Sequence, residues 1–194
     1  RFYLCNIGID INEVLKAPEL KLKGKSLVFT GVMDYEPNED AMVYFIQEVF
    51  DKVAEKCPEV TLYIVGKNPT DKLKKLVINR KNIIVTGKVD SVFSYIKSST
   101  IYISPLRIGS GKKNKIIEAI SCGTPLIAST VSMEGFEDIE DKNLILRADS
   151  SNEWVENICK LLSDEEKRID IKKRMFNLLD ESYSWKNIAK KLVE

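Results

Sequence analysis

Four short apolar runs in this chain close on a glycine or a proline at, or one residue past, their end. Ser26–Thr30 stops at Gly31, Val60–Val65 at Gly66, Ile83–Val85 at Gly87 and Thr100–Ser104 at Pro105. Runs this short, apolar on both faces, are strands buried from both sides, as in a parallel sheet. Between them lie segments whose apolar residues recur at helical spacing, such as Ala41, Tyr44, Phe45, Val49, Phe50 and Val53. Strand and helix alternate, so the fold class expected is α/β: a Rossmann-like, doubly wound parallel sheet with right-handed crossovers.

The remaining elements follow from the same signals. Val32–Asn38, with Tyr35, Pro37 and Asn38, reads as a loop, and a helix runs from about Glu39 to Pro58. Asn68 and Pro69 open a Lys-rich helix bearing Leu73, Leu76 and Val77, and Asp90 is the expected N-cap of a short helix through Ile96. Pro125–Ser129 and Leu144–Leu146 are the fifth and sixth strands. Extra C-terminal helices are expected on Trp154, Ile158, Leu161 and Leu162, then on Ile169, Met175, Leu178 and Leu179, and last from Ser184. Trp154 and Trp185 are expected to pack between helices. At the other end, Phe2–Ile11 reads as a buried strand and Asn12–Lys25 as a polar connector, so the chain, opening at Arg1, is expected to be part of something longer.

Composition narrows the chemistry. There is no histidine in the 194 residues, which excludes Ser-His-Asp and Cys-His nucleophilic machinery, a His base and His metal ligands within the chain. A formal net charge of +1 calls for neither nucleic acid nor an anionic membrane surface. Cys5, Cys57, Cys122 and Cys159 show no C-x-x-C spacing and read as structural thiols of a reducing, cytoplasmic compartment. No apolar run approaches the ~20 residues of a membrane span.

The stretch Pro105–Gly135 is the richest in chemistry. A strand end meets a turn bearing Gly109 and Gly111, then an amphipathic helix, then Gly123 and Pro125 before another strand. Such a turn uncovers backbone N–H groups where the following helix points its positive end, a natural seat for phosphate. Along the helix Lys115 and Glu118 share a strip, with Ile116, Ile117 and Ile120 facing the sheet. Glu118 lies roughly 10 Å along the axis from Gly111, the span from a diphosphate to a sugar hydroxyl. The same Lys/Glu spacing also describes a surface pair contributing only ~0.2–0.5 kcal/mol. A dinucleotide fold is excluded, because the first strand runs into Thr30, Gly31, Val32, Met33 and Asp34 rather than G-x-G-x-x-G, and no P-loop is present.

In combination the motifs resemble the C-terminal, donor-binding domain of the GT-B glycosyltransferases, of the retaining family 4 type (glycosyl transferases group 1). They are G-V-M-D-Y-E-P-N-E-D-A at Gly31–Ala41, Y-I-V-G-K-N-P at Tyr63–Pro69, V-T-G-K-V-D at Val85–Asp90 and P-L-R-I-G-S-G-K-K-N-K-I-I-E-A at Pro105–Ala119. C-G-T-P-L-I-A-S-T at Cys122–Thr130, M-E-G at Met133–Gly135 and Y-S-W at Tyr183–Trp185 follow in order. The resemblance implies one half of a GT-B fold: residues 1–25 as linker or end of a missing N-terminal domain, and 26–194 as a nucleotide-sugar-binding domain. It further implies a UDP- or GDP-sugar donor, no cofactor and no metal, and an acceptor held by the missing N-terminal half. Any peripheral membrane association would come through that half alone.

Residue by residue, the resemblance matches Glu118 to the second acid of an E-x7-E motif, placed on the ribose hydroxyls, and finds Ser110 where relatives carry the first acid. Asp34 and Glu36 stand where many relatives carry an Arg and a Lys for the diphosphate, and Arg107 and Lys115 are expected to stabilise the leaving diphosphate instead. Gly109, Ser110, Gly111, Glu134 and Gly135 are expected near phosphates or sugar, and Gly31, Gly66, Lys67 and Val89 at the strand ends facing the nucleotide. Arg107 paired with a surface acid, and the glycines as plain turn residues, are the competing readings. A sugar-nucleotide epimerase of the same fold, or a non-catalytic partner or scaffold domain, are the rival functions; the missing histidine speaks against the first and Ser110 keeps the second open.

Overall fold

The structure is a computed structural model that describes residues 9–136, 139 and 144–179. The expected strand before Ile9, Cys5, the Tyr183–Trp185 motif, Trp185 and the helix from Ser184 lie outside the described residues. Six strands form one parallel sheet: β1 (Lys25–Thr30), β2 (Val60–Val65), β3 (Ile83–Gly87), β4 (Ile101–Ser104), β5 (Leu126–Ala128) and β6 (Ile145–Arg147). Their order is β3-β2-β1-β4-β5-β6, so the winding reverses between β1 and β4. The doubly wound α/β class expected from the alternation is the fold observed.

β1 and β2 sit mid-sheet and are buried on both faces, which is why their sequences are apolar without alternation. Register fixes where they end: Thr30 lies opposite Val65, and β3 finishes on Gly87 beside it. Three chain ends thus emerge together on one edge. β3 runs two residues further than the apolar run alone predicts, because after a register shift that skips Thr86 the strand pairs once more, Gly87 opposite Val65.

Helices cover both faces. α1 (Ile11–Lys16) replaces the expected polar connector; the Asp10 side chain accepts from the Asn12 N–H at 2.9 Å, and Val14 is buried. α2 (Glu36–Tyr44) begins three residues before the expected Glu39, since Pro37 stands in the first turn where its missing N–H costs nothing. It continues as a π-helical turn, Phe45–Phe50, and as α3 (Asp51–Lys56). The widened turn lets Phe45, Ile46, Val49 and Phe50 all bury. α4 (Asp71–Val77) is capped by Thr70, whose hydroxyl accepts from the Leu73 N–H; Asn68, expected to open it, instead takes a left-handed φ of 58°. α5 (Val92–Ser98) starts after Ser91 rather than from a cap at Asp90.

α6 (Asn114–Ser121) buries Ile116, Ile117 and Ile120 as its spacing predicts. α7 (Ser151–Ser163) is opened by a reciprocal capping box between Ser150 and Glu153, and packs Trp154 edge-on to Phe45 at 5.7 Å. In α8 (Glu165–Leu178) the inward positions are Ile171, Met175 and Leu178, while the expected Ile169 is 62% exposed. The i, i+4, i+7 spacing of the first three selects one face that excludes Ile169.

Candidate functional site

A cleft of about 560 Å³ opens at the C-terminal edge of the sheet, over the ends of β1 and β4. This is the topological switch point, where neighbouring crossovers leave in opposite directions and a crevice is left uncovered. Its floor is tied together: the Thr30 and Tyr102 hydroxyls share a buried hydrogen bond of 2.7 Å, and burial holds the Tyr102 phenol neutral.

The β1 and β2 ends interlock by backbone. The Gly31 N–H donates to the Val65 carbonyl at 3.0 Å and the Met33 N–H to that of Lys67 at 2.9 Å. A Cβ on Gly66, whose φ is +148°, would stand 1.7 Å from the Gly31 carbonyl oxygen. One on Gly31 would stand 2.6 Å from the Asn38 side chain. Glycine at both positions is therefore a packing requirement of the cleft floor.

Lys115 and Glu118, one turn apart on α6, both line this cleft. The Lys115 ammonium donates to Asn38 Oδ1 at 2.6 Å and lies 4.1 Å from the centre of the Phe29 ring. Burial lowers its pKa to about 7, against the opposing pull of Glu118. Burial likewise raises the Glu118 carboxyl above the ordinary range, with Lys115 opposing. The cleft is otherwise strongly cationic: Lys67, Lys88, Lys112 and Lys113 join Lys115 along its walls, and Glu118 is the acid among the lining residues.

Of the residues singled out from sequence, the structure brings Gly31, Gly66, Lys67, Val89, Gly109, Ser110, Lys115 and Glu118 to the cleft. It does not bring Arg107, Gly111, Glu134 or Gly135 into the lining. Leu106 and Ile108 turn toward the cleft, so Arg107 between them points back to α2, where its Nε donates to Asp40 at 3.0 Å and its guanidinium lies over Tyr44. Arg107 thus makes the surface pair that was its competing reading. Gly111 precedes α6 rather than sharing its strip; its N–H donates to the Glu134 carboxylate at 2.8 Å, which also pairs with Lys113 at 3.2 Å. Glu134 therefore ties the loop after β5 to the glycine turn. Gly135, at φ +84°, packs directly on the Lys112 side chain.

Sequence reasoning missed Lys88, Lys112, Lys113 and the contact from Asn38. The G-K-K-N-K run beside the turn and the lysine just after Gly87 were the available signals. Among the described residues no helix is long and apolar enough to cross a membrane, and no three His, Cys, Asp or Glu cluster as a metal site would require.

The model of the family described as glycosyl transferases group 1 matches residues 24–164. An uncharacterized glycosyltransferase of Methanocaldococcus jannaschii is 32% identical over 140 residues, 68% of this chain and 35% of that protein. The phosphatidyl-myo-inositol mannosyltransferase of Mycobacterium tuberculosis is 28% identical over 131 residues, 63% of this chain and 33% of that protein. The chain thus spans about a third of the length of the curated relatives it matches. Among solved structures, a mutant of S. aureus TarM, in complex with fondaparinux, alpha-GlcNAc-glycerol and UDP, superposes with a TM-score of 0.79 at 18% identity, covering 98% of this chain and 38% of that one. The C-terminal domain of a Francisella tularensis glycosyl transferase group 1 family protein superposes at 0.68 with 17% identity, covering 92% of this chain and all (100%) of that one. With the family's model matched from the start of β1 to the end of α7, and the same doubly wound half of a GT-B fold in both structures, this chain belongs to the glycosyl transferases group 1 family.

Proposed function

We propose that this domain binds the nucleoside-diphosphate sugar donor of a glycosyltransferase. The observation that carries the reading is the charge of the cleft: Lys67, Lys88, Lys112, Lys113 and Lys115 converge at the switch point of the sheet around one acid, Glu118. Lysines around a crevice suit a diphosphate, whose departure with the leaving nucleotide is the charge that transfer must stabilise. Glu118, further along α6, accepts from ribose hydroxyls, and the ends of β2 and β3, at Gly66, Lys67 and Val89, flank the base. Lys115 takes the diphosphate work without Arg107, which Asp40 engages outside the cleft.

An acceptor site supplied by a separate N-terminal domain completes the enzyme, so the chain alone binds donor and transfers little. Relatives solved with UDP support the choice of nucleotide class. Ser110, exposed at the cleft where the family resemblance implies an acid, supports the second reading, a domain that binds nucleotide without catalysing transfer.

Calorimetric titration of the full chain with UDP, GDP and their glucose conjugates tests the proposal. One-to-one binding that weakens with salt, and weakens further in Glu118→Gln, is expected. Absence of binding to all of them rejects it. Incubating the full-length enzyme with labelled donor separates the two readings, since release or transfer of sugar requires catalysis.

A further inference from the structure

Asn38 sits where the first turn of α2 meets the cleft, and it is 6% exposed. Both ends of its amide are committed. Nδ2 donates to the Val32 carbonyl at 2.9 Å, fixing the turn after β1, and Oδ1 accepts from the Lys115 ammonium at 2.6 Å. Among polar side chains of this size only an amide offers a donor and a fixed acceptor together; an ionised aspartate would leave the Val32 carbonyl without its donor. Gly31 leaves the room the amide fills, because a Cβ there would stand 2.8 Å from the Asn38 Cγ. Three features of the cleft floor therefore converge on one side chain: the bare glycine, the loop carbonyl and the lysine.

The neutrality of that acceptor matters as much as its position. The groups facing the Lys115 ammonium are the Phe29 ring beneath it, Asn38 beside it and Glu118 one turn along α6. Phe29 and Asn38 orient the cation without cancelling its charge, whereas a carboxylate in place of Asn38 would neutralise it by a close ion pair. Resting on the donor-binding reading above, we propose that Asn38 is a positioning residue, which acts through Lys115 by holding its ammonium in the cleft without a close ion pair, aimed at the donor's diphosphate. An anion arriving there meets a lysine already aimed, and the charge it brings favours the protonated form.

A double-mutant cycle on UDP affinity, run on the full chain, tests this through four proteins: wild type, Asn38→Ala, Lys115→Met and the double variant. Asn38→Ala is expected to weaken UDP about tenfold, and to add nothing once Lys115 is gone. Equal losses from Asn38→Ala with and without Lys115 would overturn the proposal, since a merely structural role adds. Asn38→Asp, close to isosteric, is the second variant. It should shift the Lys115 titration upward, followed by NMR of the lysine ε-carbon, and weaken UDP and inorganic pyrophosphate alike. An unmoved Lys115 titration in that variant also overturns the proposal. The NMR readout needs no ligand, so it decides the Asn38–Lys115 coupling even where wild type binds neither UDP nor pyrophosphate, the result that would reject donor binding itself.

Discussion

Replacing Lys115 by methionine should make the pH dependence of stability report the buried ammonium directly. The lysine's pKa falls from an ordinary value of 10.5 to about 7 in the folded chain. Between those values the unfolded chain binds more protons than the folded one, so wild-type stability rises with pH across the window. Put the other way, the penalty for burying the charged lysine is fully present below about pH 7 and relieved by about pH 10.5. Methionine keeps the length and apolar stem but carries no charge, so the variant lacks this dependence, and contributions from other groups largely cancel in the difference. The limiting slope is ~1.4 kcal/mol per pH unit. Lys115 keeps partial exposure to the cleft, so water screens the charge and the total across the window falls to on the order of 2–4 kcal/mol. Urea unfolding of both proteins at pH 7, 8, 9 and 10 measures it. The variant should be the more stable protein at pH 7, with an advantage that shrinks steadily toward pH 10. A difference that stays flat over the range would refute the burial argument and with it the poised lysine.

Other consequences are simpler. Gly66→Ala forces a methyl onto the Gly31 carbonyl at a backbone angle alanine avoids, and should cost about 3 kcal/mol or more, read as a lowered urea midpoint. Arg107→Ala removes a half-exposed ion pair and a contact over Tyr44; stability should fall by about 1 kcal/mol and UDP affinity should stay at the wild-type value. A large loss of affinity there would return Arg107 to the diphosphate. Cys122 is buried at the end of α6 with its thiol pushed up to about 12, and Cys159 is pushed up to about 11 by burial and by Cys57 beside it, so brief alkylation at pH 8 should label the part-exposed Cys57 ahead of Cys159 and spare Cys122, as peptide mapping would show.

Much of the fold was legible because four of the six strands, β1 to β4, announce their ends, an apolar run and then glycine or proline. The errors fall where tertiary context decides. Pro37 reads as a loop residue in isolation, yet it is tolerated in a first helical turn, and only the burial of Ala41 and Met42 beneath shows that α2 has begun. Ile11–Lys16 looks polar because a single residue, Val14, is buried. At the site, helical spacing placed Lys115 and Glu118 on one strip beside the buried isoleucines of α6 but fitted a surface pair as well; that both line the cleft became clear only once the sheet edge was in place. Arg107 was misplaced because spacing along a loop does not say which way a side chain points; the alternation of Leu106 and Ile108 into the cleft turned it outward. Asn38 was visible as a turn residue and invisible as a partner of Lys115, 77 positions away, because only the β1–β4 juxtaposition brings them together.

The most direct measurement is a crystal structure of the full chain with UDP bound. The account predicts the diphosphate over the Gly109–Ser110 turn within hydrogen-bond reach of Lys115, and the ribose hydroxyls on Glu118. Arg107 should remain with Asp40. UDP seated elsewhere, or a diphosphate in the cleft that lies out of reach of Lys115 and bonds Arg107 instead, would contradict it.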